Sequence, residues 1–289
     1  MIETLHGIRE TVKYHDLPGI KLYLNREAEN YPPHWHTALE IIMPYHNSYT
    51  IIVDDTSHTI REGELFLIAP GTIHQLQAPS SGERLILLID YSQICNVNGM
   101  NALLPYLRPY VLINYEESKQ TLQTLQKSIN AIYQEYVQPS PYKEASLKAL
   151  IIQFFVSIGR YKMNATEKFP GIAITKQYEY IEKFMQICDY ITAHCTENLT
   201  VDELAVIAGF SKFHFIRLFK QFTNVTCYEY LIQKRIELAE RLLIEPNLTI
   251  TQVALQSGFG SLSSFNRVFK VSKNCTPTEY KNMNVHKSL

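Results

Sequence analysis

The sequence predicts a multidomain α+β chain: an N-terminal β-barrel or sandwich followed by two long helices, then a separate all-α domain. Three observations predict it. Between residues 19 and 92, short apolar runs recur and each is closed by turn residues. From Glu116 the apolar spacing changes to steps of three and four. After Glu203 the chain spells one helical unit twice. A length of 289 residues favours two domains, and 46% apolar with 19% charged residues lets each bury a core.

The strand region holds the runs Ile20 to Leu24, Leu39 to Met43, Tyr49 to Val53, Leu65 to Ile68 and Leu85 to Ile89. Asp54-Asp55, Pro70-Gly71 and Ser80-Ser81-Gly82 supply the turn chemistry between them. Regular short strands of this kind suit a small barrel or sandwich. Beyond Glu116, the residues Leu122, Leu125, Ile129, Ile132 and Tyr136 form an apolar seam on a helix of about six turns. A second helix is expected from about Tyr142 to Arg160. Such a seam either packs on the barrel or faces a second copy, and the dimer is the expectation adopted.

Residues 161–175 read as a linker, polar and broken by Pro170-Gly171. The expected domains are therefore 1–160 and 176–289. The second opens with a helix from about Tyr178 to Cys195, with Phe184, Ile187 and Ile191 on one face.

The repeat follows. Ala205 and Gly209-Phe210 recur 49 residues on, as Ala254 and Gly258-Phe259. After one residue gained in the turn, Phe215, Arg217, Phe219-Lys220, Asn224, Thr226, Glu229 and Tyr230 recur 50 residues on, from Phe265 to Tyr280. Each copy reads helix, tight turn, helix, at about 201–222 and 250–272. Gly209 and Gly258 stand where the chain leaves the first helix and favours left-handed φ. Asn224 and Asn274 are placed to do the same after the second. Thr226-x-x-Glu229 and Thr276-x-x-Glu279 are capping boxes for the helices beyond.

In the first copy Phe215, Leu218, Phe219 and Phe222 make a buried stripe, which leaves Phe213 and Ile216 on the outer face beside Arg217 and Lys220. In the second copy Ser263, Asn266, Arg267 and Lys270 take those places, with Ser264 alongside. The cations recur and the residues between them change. That is what a DNA-reading face would do: keep its phosphate anchors and vary its base readers. Arg suits guanine, Asn suits adenine, and Phe or Ile packs on a thymine methyl. The net charge is only −1, but no Asp or Glu lies between Glu203 and Glu229 or between Glu245 and Glu279. Two acid-free basic windows fit a surface that meets an anion.

These motifs, "LAVIAGFS", "RIELAERLL" and "ITQVALQSGFGS", resemble the AraC/XylS family of bacterial transcription regulators over about residues 185–283. Asn224 and Asn274 depart from the glycine usual there. The resemblance implies two recognition helices in successive major grooves of promoter DNA. It carries Lys212, Phe213, Ile216 and Arg217 as contacts of the first helix, and Ser263, Ser264, Asn266 and Arg267 as contacts of the second. It also implies a cupin-like N-terminal sensor barrel, a homodimer, RNA polymerase as a partner and activation as the commoner outcome. "PHWHTALEI" and "EGELFLIAPGTIHQL" resemble the two cupin motifs.

Within them His34, His36 and Glu40 share parity, so on one extended strand they would face the same way, and His74 follows the Pro70-Gly71 turn. Three readings stay open: a metal site, with or without catalysis, since imidazole and carboxylate suit Fe, Mn or Zn, which would make the chain a metal-dependent cupin enzyme or metal sensor fused to a DNA-binding module; polar groups for a small effector; or hydrogen-bonded structure at a barrel mouth. An effector pocket or barrel-mouth structure is preferred to metal, and no cofactor is expected. Asn47 and Tyr49 join Glu40 and the histidines as candidate effector contacts, and a sugar is one candidate effector.

Catalytic signatures such as GxSxG, Walker A, GxGxxG and HExxH are absent, so no enzyme is expected. Five scattered cysteines without a CxxC pair, no signal peptide and no membrane-spanning run point to a cytoplasmic protein.

Overall fold

The computed structural model describes every residue except 1–3, 117, 164–168, 170, 246, 274 and 286–289. It divides into two compact units, Met1–Asn164 and Ala165–Leu289.

The first unit is built from strands β1 (Leu5–His6), β2 (Arg9–Glu10), β3 (Ile20–Asn25), β4 (Tyr31–His34), β5 (Ala38–His46), β6 (Tyr49–Val53), β7 (Thr56–Ile60), β8 (Leu65–Ile68), β9 (His74–Gln77), β10 (Glu83–Asp90) and β11 (Tyr110–Ile113). Beside the small β1-β2 pair they form two antiparallel sheets, ordered β11-β8-β5-β10-β3 and β4-β9-β6-β7. The turns follow their residues. Asp54 and Asp55 both take positive φ (48° and 61°), which gives β6 and β7 a two-residue hairpin loop whose twist matches the strands.

Period-2 alternation sorts β5 and β10 into two cores. Leu39, Ile41 and Met43, with Leu85, Leu87 and Ile89, face outward from the five-stranded sheet onto helices. Ile42, with Phe66 and Ile68 of β8, faces inward onto Ile51, Val53 and Leu76 of the other sheet. Both faces of β5 are thus covered, which is why it reads as a nearly unbroken apolar run. Glu40 shares the inward parity of Ile42.

The covering helices are α1 (Ser92–Cys95), α2 (Leu104–Leu107), α3 (Lys119–Val137) and α4 (Lys143–Lys162), with a 3-10 turn at Met100–Ala102. The seam residues Leu122, Leu125, Ile129 and Ile132 of α3 are fully buried in one core with Leu147, Ile151, Phe154 and Ile158 of α4 and the outward strand residues. This corrects the dimer expectation for that seam. It is internal core, because the outer face of the sheet offers it a partner within the same chain, and each such side chain contributes about 1.5–3 kcal/mol there.

The second unit is helical: α5 (Ile174–Ala193), α6 (Val201–Ala208), α7 (Lys212–Thr223), α8 (Cys227–Ile244), α9 (Ile250–Gln256), α10 (Leu262–Lys273) and α11 (Pro277–Val285). The linker expected at 161–175 is shorter within the described residues. α4 runs through Lys162 and α5 starts at Ile174, while residues 164–168 and 170 lie outside them. Phe169 packs on Tyr180 and Phe184 of α5, with ring centroids 5.7 and 6.4 Å away.

Four capping boxes, two more than the repeat predicts, open α6, α8, α9 and α11. Backbone N–H groups of Thr200, Thr226, Thr249 and Thr276 donate to Glu203, Glu229, Gln252 and Glu279 at 2.7–2.8 Å, and each threonine hydroxyl accepts from the residue three on. Gly209 and Gly258 have φ of 72° and 85°. A Cβ on Gly258 would stand 2.7 Å from the Thr196 Cα, so glycine is required there for space as well as for φ. Asn224 takes φ 63°, as its position predicts, and Asn274 lies outside the described residues.

Cys188 and Cys227 are buried, and burial pushes each thiol up to about 12, so neither is a nucleophile at neutral pH. No helix among the described residues is long and apolar enough to cross a membrane.

Candidate DNA-reading helices and histidine cage

α7 and α10 are amphipathic because large aromatics return every three or four residues. Phe215, Leu218, Phe219 and Phe222 are buried in the first, and Phe265 and Phe269 in the second. Phe184 of α5 stacks against Phe210 and Phe222 in the first copy, at 5.6 Å each. Phe259, Phe265, Phe269 and Tyr280 form the matching ring cluster in the second.

With those stripes inside, the opposite faces are forced outward. Phe213 is 84% and Ile216 is 42% exposed, whereas Phe215 between them is 0% exposed. Lys212, Arg217 and Lys220 are exposed on α7, and Ser263, Asn266, Arg267 and Lys270 occupy the equivalent exposed places on α10. Ser264 is half-buried, and its backbone N–H is capped by the Ser261 hydroxyl at 3.2 Å. Among the described residues the side chains of Arg217, Lys220, Arg267 and Lys270 make no ion pair or hydrogen bond, although Lys220 and Lys270 lie near enough to Glu229 and Glu279 to lower those carboxyls. Lys212 differs: its Nζ sits 2.7 Å from Asp202 of α6, a pairing that the acid-free window did not reveal because Asp202 lies just before it. The extra residue of the second turn, Gly260, precedes the α10 cap and leaves the helix phase unchanged.

The other candidate cluster sits between the two sheets. His34 ends β4 and pairs across the ladder with His74, the first residue of β9. His36 follows in the crossing from β4 to β5, and Glu40 points inward from β5. The four converge, but His34, His36 and Glu40 do so without sharing the one strand that their parity suggested. The chain passes from one sheet to the other between them, so His34 and Glu40 meet across the interior. The N–H of Gly71 donates to the His36 carbonyl at 2.8 Å and ties the Pro70-Gly71 turn to the cage.

Each imidazole is oriented by a backbone carbonyl. Nδ1 of His34, His36 and His74 lies 2.8, 3.1 and 2.9 Å from the carbonyls of Pro32, Ala38 and Thr72. A carbonyl only accepts, so each Nδ1 carries the proton and Nε2 is the nitrogen turned inward. Glu40 Oε2 stands 3.1 Å from Nε2 of both His36 and His74. A fifth group, missed in the sequence, is Glu10 of β2, whose Oε2 is 3.5 Å from His34 Nε2. Its strand is held by Glu10 N–H donating to the Trp35 carbonyl and Trp35 N–H donating to the Ile8 carbonyl, both at 2.9 Å.

Burial shapes the charges. It pulls His34 down to about 3, with neighbouring His74 adding to the effect, so this ring is neutral. It raises Glu10. Burial also opposes charge on His36 and Glu40, but their mutual hydrogen bond and attraction outweigh it, leaving His36 raised and Glu40 well below the carboxylate range.

Asn47 and Tyr49 do not join this cage. Asn47 is an exposed turn residue with φ 65°, and its side chain donates to the Ser81 carbonyl at 2.9 Å. It lies at the far end of β5 from Glu40, about 20 Å along the strand. Tyr49 is buried beside Arg84, a second residue the sequence did not flag. The Arg84 guanidinium is fully buried, 4.7 Å from the Tyr49 ring centroid and 5.3 Å from that of Tyr31, and donates to the Glu27 carbonyl at 3.2 Å. The inner core thus has two polar centres rather than one.

Comparison with known proteins supports the helical half most directly. Residues 204–283 match the model of a helix-turn-helix domain. An uncharacterized HTH-type transcriptional regulator of Bacillus subtilis (strain 168), YdeC, is 24% identical over 284 residues, covering 91% of each chain. An uncharacterized HTH-type transcriptional regulator of Staphylococcus aureus (strain COL) is 39% identical over 100 residues, which are 35% of this chain and only 13% of that one. Among solved structures, unsaturated fatty acid bound ToxT from Vibrio cholerae is matched at TM-score 0.46 and 19% identity, over 96% of this chain and all of that one.

Proposed function

We propose that the chain, whose residues 204–283 match a helix-turn-helix domain model, is an AraC-type DNA-binding transcription regulator in which α7 and α10 read two successive major-groove segments of promoter DNA. The observation that carries this is the repeated exposure pattern. In both helices the residues facing water are two unpaired cations and a set of side chains able to contact bases, at matching positions. A merely structural repeat would keep its outer residues polar and uncommitted; Phe213 at 84% exposure on such a face has no folding reason. Arg217, Lys220, Arg267 and Lys270 anchor phosphates or guanine edges, and Phe213, Ile216, Ser263, Ser264 and Asn266 discriminate bases.

The first unit is the sensory half, which binds a small effector and biases the DNA-binding half by favouring one of two states. The protein acts in the cytoplasm as a homodimer, using surfaces of the first unit other than the buried α3 seam, and contacts RNA polymerase to raise transcription. It is a regulator and not an enzyme. The test is fluorescence anisotropy on an operator selected from random duplexes, read with single-base variants. Sequence-selective binding that Arg217→Ala and Arg267→Ala both weaken supports the reading. Binding that is indifferent to sequence, or unaffected by both substitutions, overturns it.

A further inference from the structure

We propose that Glu240 of α8 is a positioning residue for base reading by α10, acting through a buried ion pair with Lys273 and a hydrogen bond from Tyr280. By its place in the sequence Lys273 belongs with the phosphate anchors, since it follows Lys270 in the acid-free window between Glu245 and Glu279. The fold withdraws it from that surface. Its side chain is only 5% exposed, and Nζ lies 2.8 Å from Glu240 Oε1. The hydroxyl of Tyr280, a fully buried residue of α11, donates to the same oxygen at 3.0 Å. One carboxylate thus ties the last residue of α10 and a residue of α11 to a single point on α8.

The repeat sets this contact apart. In the first copy Thr223 stands where Lys273 does, and Tyr230 where Tyr280 does. Thr223 turns its hydroxyl back onto the Phe219 carbonyl of its own helix at 2.8 Å, and Tyr230 hydrogen-bonds to the buried Cys188 thiol of α5. Neutral groups therefore suffice to pack one copy, and the charged pair of the other does something besides packing. A buried ion pair adds little net stability over apolar residues of the same volume, but each charge needs its partner in one place. It fixes geometry where apolar contact, which is non-directional, leaves small rotations open.

α8 also holds the other end of this copy. Arg235 donates from Nε and Nη2 to the carbonyls of Cys195 and Glu197, just beyond α5, at 2.7 and 2.9 Å. Gly258, in the turn before α10, packs on the same segment, where a Cβ would stand 2.9 Å from the Cys195 carbonyl oxygen and 3.0 Å from Arg235 Nε. α10 is thereby held ahead of its first turn and at its last residue. α7 meets α8 as well, with the Phe219 and Tyr230 ring centroids 5.8 Å apart. One helix therefore sets both reading helices. Successive major-groove segments recur at about 34 Å, so two helices that read them must keep a fixed relation. This inference rests on the DNA-reading function proposed above.

The experiment uses the full chain and an operator selected by the unmodified protein, together with every single-base variant of it. Asn266→Ala and Arg267→Ala mark the base positions that α10 reads, and Ile216→Ala and Arg217→Ala mark those of α7. Glu240→Gln/Lys273→Met removes the ion pair without stranding a charge and keeps an acceptor for Tyr280, so it should fold. Its discrimination at the α10 positions should fall about tenfold, with a change below about twofold at the α7 positions. Its salt slope should stay unchanged, because Lys273 meets no phosphate. Lys273→Glu alone, which sets two carboxylates together, should also lose discrimination at the α10 positions. Adding Glu240→Lys should restore it, a second readout that holds even if the neutral variant does not fold. A purely stabilising role would move the melting midpoint and leave the base profile as it was. An unchanged profile in the folded neutral variant, equal losses at both sets of positions, or a salt slope lowered by about 0.9 overturns the inference alone. Absence of base preference in the unmodified chain overturns the DNA-reading function, and this inference with it.

Discussion

At Phe213 and Phe215 two identical side chains, two positions apart, have opposite fates, and they make the helix phase testable. Phe215 is fully buried between Phe184 and Phe219, so Phe215→Ala should cost about 3–5 kcal/mol of stability. Phe213→Ala removes an exposed ring and should change stability by under about 0.5 kcal/mol while weakening operator binding. Chemical denaturation and anisotropy on the same two variants check this, and equal stability losses would show the phase to be wrong. On the same face Arg217→Ala and Ile216→Ala should differ in kind. The arginine is expected to cost about 1–3 kcal/mol of binding if it pairs bidentate with a base. Ile216 offers only apolar contact, so its truncation should relax preference at one base position and leave the salt slope unchanged. Titrations of single-base operator variants at two salt concentrations separate the two effects.

The helix caps show how much of the fold was legible in short motifs. Backbone and hydroxyl hydrogen bonds from Thr200, Thr226 and Thr276 hold the Glu203, Glu229 and Glu279 carboxyls below their ordinary value of 4.5. A carboxylate with a depressed folded value binds fewer protons than the unfolded chain. Its contribution is therefore complete above the unfolded value and is lost as pH falls through the folded one. The melting point of the helical unit should stay level from neutral pH to about pH 5 and then fall. Gln252 makes the same contact in the fourth box without a charge, so Glu203→Gln/Glu229→Gln/Glu279→Gln should fold and lose part of that acid sensitivity. An unchanged acid slope by circular dichroism would assign it elsewhere. Local chemistry like this is written in a few adjacent residues, and so are the Asp54-Asp55 hairpin and the aromatic stripes of α7 and α10. What depends on distant partners was not. β4 carries Pro32-Pro33 and lies outside the apolar runs that mark strands, yet it forms an edge strand, where missing donors cost no ladder bond. The α3 seam looks the same whether a sheet or a second copy covers it. The histidines were visible as a set, but their meeting across two sheets depends on a crossing that parity cannot encode. Glu10 and Arg84 stayed hidden because an inward charge at a strand end looks, in sequence, like a solvated one.

On the scale of the whole chain, a net charge of −1 conceals the anion-seeking surface, because the acids and bases segregate along the sequence rather than by total. Binding should therefore respond to salt far more than net charge suggests. If Arg217, Lys220, Arg267 and Lys270 each neutralise a phosphate, log K falls with log salt at a slope of about 3.6 from these four alone. Lys220→Ala/Lys270→Ala should lower that slope by about 1.8 while base preference persists. The helical unit has its own core, so residues 165–289 should fold alone and retain this salt response, with weaker binding than the full chain if dimerisation resides in the first unit. Where the fragment begins matters. A start at residue 176, as the sequence suggested, removes Phe169, which is buried against Tyr180 and Phe184, and truncates the first turn of α5. Burying one such ring is worth about 1.5–3 kcal/mol, so the shorter fragment should melt roughly 5 °C or more below the longer one. Calorimetry on both fragments, with anisotropy at three salt concentrations, tests the boundary and the charge argument together. Equal midpoints would remove Phe169 from the fold of this unit. A flat salt response from a well-folded fragment would mean that its exposed cations do not meet phosphate at all, and the DNA-reading assignment of α7 and α10 would fall with them.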